Sequence, residues 1–286
     1  MNRRRVRILG VALAVLFLVP IGIAYLSEVT ESEQTKRIDG VTGPDRDGYT
    51  VVTTQEFKAT YAEAELVVLA GNGSTVHVNT DYDTYFDVDP VEGRPGVIEY
   101  VAADYLSGDD CDAANVCTRE VFVRESFHTG ESTVLWSRIS PGKRNSKVHD
   151  VDRINESRVA VADLYLDRVF VVDLDRGIRV WTWSAQRDFP ITGGGPYPGD
   201  WTHLNDVEVL ADGTIVASLR NQDSVVFLSP NGTLQEDRTL GEDDSHGTIY
   251  EQHNRTTSPD RRPRCSSPTR RTTASSSTGV GTARGT

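Results

Sequence analysis

A short acidic–aliphatic phrase recurs along this chain and constrains its fold more than any other feature. Phe86-Asp-Val-Asp-Pro-Val, His149-Asp-Val-Asp-Arg-Ile and Asn205-Asp-Val-Glu-Val-Leu share an Asp-Val step at positions 87, 150 and 206, spaced 63 and then 56 residues apart. Each phrase is followed by a turn (Glu92-Gly93, Asn155-Glu156, Asp212-Gly213) and then by a second β-rich run. In the latter two units a third run follows a polar corner, Asp167-Arg-Val-Phe-Val-Val-Asp and Asp223-Ser-Val-Val-Phe-Leu-Ser. Three or four short strands repeating at about 50 residues predict propeller blades, because one small sheet cannot bury its faces alone and must stack on the next. A β-sandwich with coincidental similarity is the competing architecture.

The rest of the span 49–254 has the same texture. Strands are predicted at Val51–Thr54, Leu66–Ala70, Val97–Ala102, Val121–Arg124, Val159–Ala162, Val169–Asp173, Val180–Trp183, Val207–Leu210, Ile215–Ser218 and Val225–Leu228. No segment there shows the 3.6-residue apolar spacing of a helix. The reading is therefore all-β, with about three blades and part of a fourth. Trp181, Trp183 and Trp201 are assigned to packing between blades, and Asp150, Asp152 and Asp206 to turn closure.

The two ends differ from this body. Arg3, Arg4, Arg5 and Arg7 precede an apolar run from Ile8 to Leu26, close to the ~20 residues a membrane-spanning helix needs. Residues 1–27 are read as an N-terminal transmembrane anchor, with a cleaved signal as the alternative. The leading arginines place the N-terminus in the cytoplasm and the bulk of the chain outside, on a single-pass cell-membrane protein. Residues 28–48 are a polar linker. Cys111 and Cys117, in one polar loop, suit a small disulfide in an oxidising compartment, or else two free thiols. At the other end, residues 255–286 are almost wholly Arg, Ser, Thr, Pro and Gly and are read as a disordered or frame-shifted tail. A frame loss near Asn254 would leave blades missing and an open sheet edge, with poor folding and no turnover. A natural tail on a small β domain is the other possibility.

Charge excludes some functions. The chain carries −12 overall, and its few basic residues include seven arginines in the tail against the single acid Asp260. An acidic body with four lysines repels nucleic acid and suits a halophilic source. No phosphate-cradling glycine loop, zinc-binding helix or serine nucleophile elbow is present, and no cofactor or metal is implied. Gly193-Gly-Gly-Pro-Tyr-Pro-Gly199 reads as a shaped connection.

What remains is the placing of histidines. His77 and His128 are read as surface residues. His149 and His203 lie at repeat starts, His246 and His253 flank the start of the fourth unit, and Arg220 follows the second strand of the unit begun by His203. Blade starts converge on one end of a propeller channel, so these side chains can meet although some 50 residues separate them. Each histidine could instead merely bond a neighbouring loop carbonyl.

At His149-Asp-Val-Asp-Arg-Ile, Trp201-Thr-His-Leu-Asn-Asp-Val-Glu-Val-Leu, Ser218-Leu-Arg-Asn-Gln-Asp and His246-Gly-Thr-Ile-Tyr-Glu-Gln-His-Asn, the chain resembles the arylsulfotransferase family, in particular its membrane-anchored branch in halophilic archaea. The resemblance covers roughly residues 50–254. It implies a propeller enzyme that moves a sulfuryl group from a phenolic sulfate donor to a phenol acceptor, with no adenylylated donor, through a transiently sulfated histidine. Carried over segment by segment, it implies His253 as nucleophile with His246 as its competitor, His149 and His203 as assisting histidines, and Arg220 as the channel arginine. A non-catalytic propeller binding an envelope partner or a glycan is the alternative, and a quinoprotein-type oxidoreductase a more distant one.

Overall fold

The computed structural model describes residues 47–55, 63–111, 115–142 and 148–253, and the backbone of Gly281–Thr282. All fall within one unit, Gly43–Thr286; the other unit, Met1–Thr42, lies outside them. So do the anchor at 8–26 and the linker as far as residue 46. Among the described residues no helix is long and apolar enough to cross a membrane.

The architecture is all-β and of the propeller type. The first sheet holds β1 (Tyr49–Thr53), β2 (Leu66–Ala70) and β3 (Thr75–Asn79). The second is an antiparallel meander of β4 (Thr84–Pro90), β5 (Val97–Ser107), β6 (Val116–Ser126) and β7 (Glu131–Pro141). The third repeats it with β8 (Val148–Arg153), β9 (Arg158–Asp163), β10 (Arg168–Asp173) and β11 (Ile178–Ser184). The fourth has β12 (Leu204–Val209), β13 (Ile215–Leu219) and β14 (Ser224–Leu228), and Leu240 exchanges backbone hydrogen bonds of 2.8 and 2.9 Å with Val225 where a fourth strand would begin. In the segment read as a tail, β15 (Gly281–Thr282) pairs antiparallel with β1, Val51 facing Gly281.

Strand periodicity explains why sheets stack. Val159 and Val161 of β9, with Phe170 and Val172 of β10, pack toward Phe86, Val101 and Phe122 of the second sheet. The alternate residues Ala160, Ala162, Val169 and Val171 face the other way, onto Trp183, Trp201, Leu204, Val207, Ile215 and Leu219. Successive side chains point to opposite faces of a strand, so a sheet apolar at every position must be covered on both sides. A third apolar layer, including Leu66, Val68, Tyr85 and Tyr100, joins the first two sheets. Trp183 and Trp201 are fully buried between sheets, and Trp181 donates its Nε1–H to Pro230 O at 3.1 Å, as packing residues should.

Two readings are corrected. Asp150 and Asp152 do not close turns: their carboxylates accept the backbone N–H groups of Val207 (2.7 Å) and Val209 in the next sheet. His77 is not a plain surface residue. Its Nε2 meets Glu125 Oε1 at 2.5 Å, in a network where Glu125 Oε2 accepts from Asn79 Nδ2 and the Tyr100 hydroxyl, both at 2.8 Å. Strand β7 was also missed, because Glu131–Pro141 is an outer strand whose mostly exposed residues carry little apolar alternation. The Cys111–Cys117 disulfide is formed, with Cα atoms 5.8 Å apart.

Candidate functional site

The site is built where sheets begin. In β8 the pairing register shifts between Val148 and Asp150, and in β12 it shifts between Leu204 and Asp206. A bulge leaves one residue unpaired and re-aims its side chain; those residues are His149 and Asn205. Phe86 sits at the same repeat position in β4, within the shift between Tyr85 and Val88, and its ring stacks on His149 with centroids 5.2 Å apart and planes at 26°. The true repeat partner of His149 is thus Asn205, and His203 arrives from the loop two residues earlier.

Three imidazoles form a file. His149 and His203 meet edge to face at 5.7 Å between centroids, and His203 and His253 do the same at 5.7 Å. Residues from three successive units, 104 positions apart at the extremes, therefore share one surface. His203 holds a left-handed backbone conformation, φ 48°, uncommon for a residue with a side chain. Its Nδ1 lies 2.7 Å from Asp200 Oδ1. Arg220 opens the 3-10 turn Arg220–Gln222 after β13; its Nε is buried with no hydrogen-bond partner, and its Nη2 is 3.9 Å from Glu251 Oε2. Gln252 accepts from Asn205 Nδ2 through its backbone carbonyl at 3.2 Å and donates its side-chain amide to Ser224 O at 2.8 Å. That anchoring brings His253, the exposed member, onto the file.

His246 faces another way. Its Nε2 is 3.2 Å from Asp223 Oδ2 and its ring packs on Tyr250 at 4.4 Å.

The electrostatics favour neutral imidazoles at two positions. His149 still touches solvent, but burial pushes its proton affinity down to about 3, and the charges of His203, His253 and Arg220 add to this. His253 is likewise lowered, first by burial, then by Arg220 and His203. Asp200 is held below the ordinary carboxylate range by its hydrogen bond with His203. A surface carrying a guanidinium and uncharged ring nitrogens can receive an anion and offer it a nucleophile. Among the described residues, no group of three or more His, Cys, Asp or Glu could hold a metal ion.

Sequence reasoning passed over Asp200, Asn205 and Glu251. Asn205 could have been found by strict alignment on the Asp-Val step, and Asp200 from its place three residues before a histidine. Glu251 left no signal.

No protein-family model and no curated protein matches the chain. Among solved structures it is similar to Sqt1 from Saccharomyces cerevisiae, at 5% identity and TM-score 0.40, over 65% of this chain and 47% of that one. AztD from Citrobacter koseri matches at 11% identity and TM-score 0.34, over 74% and 62% respectively. Virginiamycin B lyase from Staphylococcus aureus matches at 7% identity and TM-score 0.30, over 68% and 57%. The chain spans about half the length of the first of these.

Proposed function

We propose that this chain is an extracytoplasmic aryl-sulfate sulfotransferase of the arylsulfotransferase type, working through a sulfated His253. The observation that carries the reading is the unbroken file His149–His203–His253 beside the unpartnered Nε of Arg220. The Cys111–Cys117 disulfide supports placing the domain in an oxidising compartment.

In the first half-reaction a ring nitrogen of neutral His253 attacks the sulfur of an aryl sulfate monoanion. The N–S bond forms as the S–O(aryl) bond breaks, and the leaving aryl oxygen takes a proton from His203 in its imidazolium form. In the second half an acceptor phenol returns that proton to His203 while its oxygen takes the sulfuryl group, and the N–S electron pair goes back to His253. Charge develops over three equatorial oxygens, much as in phosphoryl transfer, and a fixed guanidinium stabilises it. His149, held neutral, serves as a wall and hydrogen-bonding partner rather than as an acid.

The test is incubation with 4-nitrophenyl sulfate and phenol in high salt, following nitrophenol release and the mass of the His253 peptide. Expected are release and one SO3 group on that peptide, both lost in H253A. Absence of release, or equal release by H253A, sinks the reading. Envelope or glycan binding that survives removal of all three histidines and Arg220 would favour the non-catalytic propeller.

A further inference from the structure

We infer that Asp200 is the positioning residue of this site, holding His203 as the tautomer with its proton on Nδ1 so that Nε2 is left to exchange the proton with the aryl oxygen. The inference rests on the sulfuryl-transfer reading for its chemistry, but on geometry alone for the pairing. His203 is the middle ring of the file, 5.7 Å from each neighbour, so its free nitrogen decides which way a proton can move. Among the described residues only Nδ1 has a carboxylate partner, Asp200 Oδ1 at 2.7 Å. A hydrogen bond at one ring nitrogen sets the protonation of the other. An anionic carboxylate there also stabilises the imidazolium formed in turnover.

The surrounding chain is arranged to keep this pair in register. The backbone carbonyl of Asp200 accepts Asn221 Nδ2 at 2.7 Å, and its N–H donates to Pro196 O at 3.0 Å. A Cβ on Gly195 would fall 2.1 Å from Asp200 O, so the glycine loop closes directly on this residue. On the other side Trp201 is fully buried, and Thr202 donates both its N–H (3.0 Å) and its hydroxyl (2.6 Å) to Asp167 Oδ1. Clamped at both flanks, the segment carries His203 through a left-handed conformation that a free loop would relax. Asp200 itself stays ionised under the influence of His203.

The experiment uses the full chain with nitrogen-15-labelled histidine, reading the tautomer of His203 from its ring nitrogen shifts in wild type, D200N and D200E, alongside kcat and KM for nitrophenyl sulfate. Read at a pH where the His203 ring is neutral, wild type should show Nδ1–H. D200N, able to donate at that position, should shift His203 toward Nε2–H and lower kcat roughly 10- to 100-fold with KM little changed. D200E should recover the Nδ1–H form and part of the rate. An Nε2–H tautomer in wild type overturns the inference without any variant, as does an unchanged kcat in a D200N protein whose tautomer has switched. If the tautomer switches while wild type transfers no sulfuryl group, the pairing stands and the proposed reaction falls.

Discussion

Asp150 Oδ2 accepts the backbone N–H of Val207 at 2.7 Å, across the boundary between the third and fourth sheets. Asp152 does the same for Val209. These N–H groups lie on the edge of β12 turned away from β13, where no strand reaches them. Unpaired backbone donors in a buried place are costly. At this boundary the acidic step is therefore a fastening between units.

Replacing Asp150 by alanine should cost about 1–3 kcal/mol, the penalty for stranding a buried N–H. Asparagine keeps an acceptor and should cost less. Urea unfolding of D150A and D150N checks this; equal losses in the two would show that the carboxylate contributes by charge and not as an acceptor.

The same carboxyls make stability depend on pH. Burial pushes Asp87 up to about 6 and Asp150 well above the usual range; Asp87 raises Asp150 further, while the hydrogen bond from Asp150 partly offsets the rise at Asp87. Both are harder to ionise folded than unfolded, so their contribution is complete below about pH 4 and is lost as pH rises through about 6 and beyond. His149 acts in the opposite sense, losing stability as pH falls from about 6.5 toward about 3. The comparison must therefore be wild type against D87N: between about pH 5 and about pH 8 the thermal midpoint of D87N should fall less. Parallel curves would rule this out.

His253 attacks only when neutral, and Arg220 helps to lower its proton affinity after burial. R220Q should thus move the acid limb of the kcat/KM profile to higher pH, besides slowing transfer by roughly 10²–10³-fold through lost charge stabilisation. A limb that stays in place or moves to lower pH contradicts the placing of Arg220 beside the nucleophile.

Asp163 is fully buried and binds Arg138 (2.6 and 3.1 Å) and Arg168 (2.8 Å). Arg138 also reaches Glu120 of its own sheet at 2.8 Å, so its bonds to Asp163 tie the second sheet to the third. D163A strips Arg168 of its carboxylate and leaves Arg138 only Glu120, and should destabilise by about 3 kcal/mol. Denaturant midpoints measure it, and a loss near zero would mean that water reaches this interface.

The Cys111–Cys117 bridge closes a small loop, with a sequence separation of 6. Constraint of so short a loop is worth only about 2 kcal/mol. Reduction should lower the unfolding midpoint modestly and leave sulfuryl transfer intact, which thermal scans with and without a reductant would reveal.

Much of this was legible in the amino-acid order. Alternating Val and Ala in Val159–Ala162 and Val169–Val172 announces a sheet covered on both faces, and the Asp-Val step announces the repeat. His149, His203, His253 and Arg220 were singled out from their nearness to repeat starts. Sequence failed where the signal is not local. Glu131–Pro141 has little apolar alternation because most of its residues are exposed, so little marks it as a strand. The partner of Asp150 lies 57 residues away and is a backbone amide, which every residue but proline possesses.

The order of residues by itself thus determined the all-β repeat, because period-two burial and recurring turns are written into neighbouring positions. Only the tertiary structure decided that His203 reaches His149 from a loop two residues ahead of the repeat position, that His246 turns to Asp223, and that Asp200 stands at His203 Nδ1. A bulge, a left-handed residue and a loop closure each re-aim a side chain by an angle that no periodicity encodes.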